Sequence, residues 1–169
     1  NEILTITNIV KTPIMIENED YHYRSTYVFD RGNWLQPTKE VKPDVPKSLN
    51  SWKPEWGKNR LGFAQWIVDR ENSLTSRTVV NRIWNQIFGR GIVSTIEDMG
   101  TQSEPPSHPA LLDWMSVHLM EDQKWSLKSL IRSIVLSGTY QQNSTINENN
   151  YQKDPLNIYY ARGTKLRLK

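Results

Sequence analysis

Apolar residues fall into helical spacing four times between Asn59 and Gln142, and this stretch organises the chain. Leu61, Ala64, Ile67 and Val68 recur at three- and four-residue intervals. They predict a first helix over about 60–70, with Asn59 as N-cap. Glu71, Asn72 and Ser73 break it. Val79, Val80, Ile83, Trp84, Ile87 and Phe88 form the stripe of a second helix over about 76–88, and Gly89 stands where a left-handed C-cap is wanted. Arg77, Asn81, Arg82 and Asn85 lie off that stripe. Ser107 or His108 as cap and Pro109 in the first turn open a third helix over about 108–120, carrying Ala110, Leu111, Trp114, Val117 and His118. Ser126 caps a fourth over about 126–137, with Leu127, Leu130, Ile131, Ile134 and Val135 as its stripe and Gly138 as its stop. The expected fold is mainly α, a four-helix core with an extended N-terminal arm containing one or two β-strands.

The arm, residues 1–58, has a different pattern. Ile3, Leu4, Ile6, Ile9 and Val10 have β character, as do Ile14, Met15 and Ile16 before the acidic turn Glu17-Asn18-Glu19-Asp20. Tyr21 to Phe29, rich in aromatic and β-branched residues, suits a strand that Asp30-Arg31-Gly32-Asn33 closes as a turn. Pro37, Pro43, Pro46 and Pro54 then remove backbone donors and fix φ, so 34–58 is expected as extended coil wrapped on a surface. The helical domain spans 59–142. After Gln142 the polar run Asn143 to Asn150 reads as an exposed linker, leading to a basic segment that ends Lys165-Leu166-Arg167-Leu168-Lys169 and continues in a longer parent protein.

Composition narrows the function classes. A chain of 169 residues is long enough for one domain with a real core. The net charge of +3 is spread along the chain in both signs, which does not favour a nucleic-acid partner. The second helix is apolar over too wide a face for a recognition helix. With no cysteine the chain carries no disulfide, thiolate metal site or Cys nucleophile. No apolar run approaches the ~20 residues of a membrane-spanning helix. The three histidines show no metal-ligand spacing such as H-E-x-x-H, and G-x-S-x-G, P-loop and G-x-G-x-x-G motifs are absent.

What chemistry remains sits in the polar loop between the second and third helices. Glu97, Asp98, Glu104 and His108, with Arg82 and Arg90 nearby, offer carboxylates and an imidazole for acid–base work or for a divalent cation. The same residues have a plainer reading. Asp98 before Gly100 suits a tight turn, His108 before Pro109 suits a helix start, and the arginines can pin the loop by pairing with Glu97 and Asp98. The tryptophans at 66, 84, 114 and 125 fall on or beside apolar stripes and are expected in the core. Trp34, Trp52 and Trp56 lie in coil, either as anchors for it or as an aromatic contact for a sugar or peptide.

Several ordered blocks carry a family resemblance. They are Asn59-Arg60-Leu61, Val80-Asn81-Arg82-Ile83-Trp84, Phe88-Gly89-Arg90-Gly91, Pro105-Pro106-Ser107-His108-Pro109, Leu111-Leu112-Asp113-Trp114, Trp125-Ser126-Leu127-Lys128, and Ser137-Gly138-Thr139-Tyr140-Gln141-Gln142. From about residue 25 to 169 the chain resembles the first half of a cytochrome-c-associated domain of unknown function found in exported proteins of planctomycetes and Bacteroidetes-like bacteria. It departs from that pattern at Thr38 and Asp44, where the family usually has glycines. The resemblance implies export to the periplasm or cell surface of a Gram-negative-type bacterium, with no cofactor in this chain and a haem on a neighbouring domain. The expected function is a module of a cell-envelope protein or complex that works through contacts with other protein chains. The alternative is a carbohydrate-binding or hydrolytic domain, in polysaccharide utilisation or electron transfer, that uses the Glu97–His108 loop.

Overall fold

The computed structural model describes residues 12–19 and 22–164. The expected strand character of residues 3–10 and the basic end at 165–169 lie outside these residues. The fold is mainly helical with a small two-stranded antiparallel sheet, in the order β1 (Thr26–Phe29), β2 (Pro37–Val41), α1 (Arg60–Ile67), α2 (Ser73–Phe88), α3 (Pro109–Glu121), α4 (Leu127–Val135) and α5 (Glu148–Lys153). No helix among the described residues is long and apolar enough to cross a membrane.

Expected capping signals account for three helix ends, whereas His108 caps α3 without a side-chain bond and α4 ends at Leu136, before Gly138. The Asn59 side chain accepts the Gly62 N–H at 2.9 Å, and that of Ser126 accepts the Ser129 N–H at 3.3 Å. Gly89 ends α2 at φ 76°, a left-handed conformation that costs glycine little. The start of α2 is a correction. Asn72, expected as part of a break, is buried and caps the helix by accepting from Leu74 and Thr75 N–H, so α2 begins a turn before Ser76. The other boundaries fall within three residues of expectation, as fraying ends do.

The coil expected over 34–58 contains β2, paired with β1 in the register Thr26–Val41, Tyr27–Glu40 and Phe29–Pro37, with a bulge between Tyr27 and Phe29. Pro37 is tolerated because it is the first residue of an edge strand, where no ladder N–H is lost. Every residue of both strands is exposed. Residues 12–19, which carry Ile14, Met15 and Ile16, form no strand.

The main core joins Val80, Trp84 and Phe88 of α2 to Leu112, Met115 and Leu119 of α3 and Leu130 and Ile134 of α4, together with Ile92, Val93 and Tyr160. Trp114 is a correction: its helix turns it outward, 59% exposed, and it stacks on His118 with ring centroids 4.9 Å apart. A satellite cluster attaches the proline-rich coil to α1. The indole N–H of Trp66 donates to Asn50 O at 3.0 Å, that of Trp52 donates to Trp56 O at 3.0 Å, and Lys53 Nζ lies 2.5 Å from Asp69 Oδ2. A Cβ on Gly62 would overlap the Gly57 carbonyl oxygen, so glycine is what lets this coil close onto the helix.

The polar segment after Gln142 does not lead away from the helices. It forms α5 and then a loop held by Asp154, whose two carboxylate oxygens accept from Ile158 and Tyr159 N–H at 2.8 Å each. Arg162 donates to the carbonyls of Asp154 and Pro155 at 3.0 and 2.8 Å. This delivers Tyr160 into the core at φ 53°, against Trp84 at 5.3 Å and Phe88 at 5.4 Å, with its hydroxyl donating to Arg90 O at 3.1 Å. A non-glycine residue in that region is strained by about 1 kcal/mol or more, offset here by burial of a large ring.

Tyr160→Ala should therefore destabilise the fold by about 3–5 kcal/mol, read by urea denaturation. The Lys53–Asp69 pair predicts an acid dependence. Burial pushes the Asp69 carboxyl up, but the Lys53 hydrogen bond, the Glu71 N–H and the Lys53 charge outweigh it and hold it below 3.8. Its contribution is present above pH 3.8 and fades as pH falls through the lower folded value. Lys53→Met should flatten that acid limb, measured as Tm against pH.

Candidate functional site

The polar loop is built on a side chain that its sequence position disguises. Asn81, expected on the polar face of α2, is fully buried. Its amide Nδ2 donates to Val93 O at 3.0 Å and its Oδ1 accepts the Val93 N–H at 2.9 Å. The buried bend at Ile92 and Val93 is thereby held with both backbone polar groups of Val93 satisfied. Gly91 lies against the same amide, where a Cβ would stand 2.8 Å from Asn81 Oδ1. At the far end of the loop Ser107 donates to Ile92 O through its N–H at 2.8 Å and its hydroxyl at 3.2 Å. The loop is closed at its base like an Ω-loop.

Within the loop the acidic residues are engaged separately. Asp98 organises a turn: its Oδ1 accepts the Gly100 N–H at 2.7 Å and its carbonyl accepts the Thr95 hydroxyl at 2.6 Å. Arg82 reaches Glu97 at 3.4 Å, and both side chains are exposed. Arg90 pairs with Glu104 at 3.9 Å rather than with Asp98, and the Ser94 hydroxyl donates to Glu104 at 2.5 Å. His108 contacts the Ser107 hydroxyl at 3.0 Å through Nδ1 and packs against the Tyr160 and Tyr159 rings. No hydrogen bond among the described residues joins Glu104 to His108. Burial pushes the Tyr160 phenol above its ordinary 10.0, with Trp84, the Arg90 charge and Ser107 acting the other way. No group of three or more His, Asp or Glu among the described residues is placed to hold a metal ion.

The three coil tryptophans separate. Trp34 projects from the tip of the β1–β2 hairpin and is 73% exposed. Trp56 packs edge-on to Trp52 at 5.9 Å and lies beneath the Lys53 ammonium at 5.1 Å. Trp52 alone of the three lines a groove of about 300 Å³ between the arm and the start of α1, with Tyr23, Pro43, Val45 and Phe63. Sequence reading pointed to Trp52 but missed this groove, because its walls come from residues as distant in the chain as Glu17 and Phe63. The missed role of Asn81 had one trace in the sequence, an amide wedged directly after Val80 of the apolar stripe.

Residues 59–169 match the model of a family described as PSD1, protein of unknown function (DUF1553). Neither the curated proteins nor the solved structures contain a match to this chain.

Asn81→Ala should cost about 2–4 kcal/mol, because it strands two buried backbone groups. Glu97→Gln and Glu104→Gln should each stay within about 1 kcal/mol of the parent, as exposed ion pairs contribute little. Denaturant midpoints of the three variants check this contrast.

Proposed function

Because this chain belongs to the DUF1553 family of proteins of unknown function, we propose from its surface that it is a contact module, completed by other protein. The supporting observation is exposed area. The chain exposes 13891 Å², against about 8,600 Å² for a compact monomer of its 19.8 kDa mass. Discounting the 18 residues outside the described ranges at about 170 Å² each, the exposure of an extended chain, still leaves an excess of roughly 2,200 Å². A standard interface takes only about 800 Å² from one partner.

That area is apolar where it is least protected. The β1–β2 hairpin is bare on both faces, and two strands alone are marginally stable in water. Its tip presents Trp34 at 73% and Leu35 at 66% exposure. Large aromatic and aliphatic side chains offered this way are the usual anchors of protein contacts. The loop from Glu97 to His108 supports a structural role in the same module, since its carboxylates are engaged with arginines and turn donors. The sequence resemblance supports the finer setting: an exported cell-envelope protein, in the periplasm or at the cell surface, with haem on a neighbouring domain.

Purification of the native protein in mild detergent, with sizing and mass spectrometry, tests this reading. A complex of fixed stoichiometry is expected, and Trp34→Ser with Leu35→Ser should dissociate it without changing Tm by more than a few degrees. A species that carries no other protein chain, unaffected by the double substitution, would remove the basis for a contact module.

A further inference from the structure

We propose that the groove between the arm and α1 binds a neutral pyranose ring of a glycan. The inference is independent of the contact module, because it rests on a different surface. Three aromatic side chains, Tyr23, Trp52 and Phe63, line a groove floored by Pro43 and Val45. Its volume, about 300 Å³, lies at the small end of ligand sites and suits one ring rather than an extended segment. Aromatic faces carry negative potential, and the axial C–H groups of a sugar present weakly positive hydrogens to them. A pyranose therefore gains from an aromatic wall what a free carboxylate would not.

The rim decides between a sugar and a simple apolar ligand. Asp44 uses Oδ1 to accept the Val45 N–H at 2.9 Å, and Oδ2 keeps its acceptor capacity. Asn59 uses Oδ1 to cap Gly62 at 2.9 Å, and its Nδ2 remains a donor. The Lys58 ammonium lies on the same lining with no ion pair or hydrogen bond among the described residues. Vicinal hydroxyls, each donor and acceptor, match this alternation of acceptor and donors. A purely apolar ligand would bury Asp44 and Asn59 groups without partners, which is costly.

Charge decides between neutral and acidic rings. Glu17 and Asp44 balance Lys58 and Arg60 on the lining. Glu17 is already held by the Arg60 N–H at 3.1 Å and by the Arg60 guanidinium at 3.9 Å. A uronate would gain Lys58 but meet Asp44. The aromatic wall is also set before a ligand arrives. Trp52 is fixed by its hydrogen bond to Trp56 O and its contact with Gly62, and Phe63 by stacking on Trp66 at 5.7 Å. Pre-set walls reduce the ordering cost of binding.

The test is titration of the whole chain with cellotriose, maltotriose, xylotriose and mannotriose, followed by calorimetry and tryptophan fluorescence. Benzoate and trigalacturonate serve as competitors in class. At least one neutral trisaccharide should saturate, with Kd near the millimolar range expected for a single-ring contact. Phe63→Leu, which keeps apolar volume against Trp66 but removes the aromatic face, should weaken it at least tenfold with helical circular dichroism unchanged. Lys58→Ala should weaken it about threefold, a typical loss for one exposed hydrogen bond. Absence of saturation by all four sugars overturns the proposal. Tighter binding of benzoate or trigalacturonate, or sugar binding that Phe63→Leu leaves unchanged, does so equally.

Discussion

The two hydrogen bonds between the Asn81 side chain and the Val93 backbone are the constraint on which the rest of the helical domain depends. Ile92 and Val93 pass through the interior as a bend, where the backbone N–H and C=O groups need a neighbour to satisfy them. Here a helix supplies that neighbour through one primary amide, which has both a donor and an acceptor. With Val93 held, the Ile92 carbonyl is left to receive both donors of Ser107, and the start of α3 is placed directly after it. One buried amide thus fixes the spacing between α2 and α3, and α2 against α3 is the main helix packing of the domain. A methyl in its place would supply neither bond, and a hydroxyl would have to donate and accept through a single atom.

The second closure comes from far along the chain. Tyr160 fills the space between Trp84, Phe88 and His108 and returns a hydrogen bond to the Arg90 carbonyl. It reaches that position on a loop whose rigidity is electrostatic and backbone-directed: Asp154 collects two N–H groups and Arg162 spans two carbonyls. Charged residues therefore position an aromatic one. The left-handed backbone at Tyr160 is tolerated because the ring has nowhere better to go.

Burial is unevenly distributed between these closures and the arm. Helices α2, α3 and α4 share one core, whereas the arm and α1 together form a satellite around Val45, Asn50 and Trp66, and the hairpin has no buried strand residue. The Lys53–Asp69 pair and the glycine contact at Gly62 join the satellite to α1, and the aromatic groove opens beside that junction. The surface thus holds two different features: a hairpin with an apolar tip and a small aromatic groove with a mixed polar rim.

Much of this was legible in the chain. Asn59, Gly89, Pro109 and Ser126 announce helix ends, because a cap acts on backbone groups two to four residues away and its chemistry is local. The stripe of α2 and the turn role of Asp98 follow for the same reason. Asn72 stands in the expected break between α1 and α2 and also caps α2, since the same short amide serves both uses. The remaining features needed the tertiary structure. Whether Asn81 faces water or Val93, whether Trp114 is core or surface, and whether Tyr160 belongs to a linker or a core all depend on residues distant in sequence. Pairing of β2 with β1 and assembly of the groove are likewise long-range. Periodicity assigns a face to a residue, but only packing decides what that face meets.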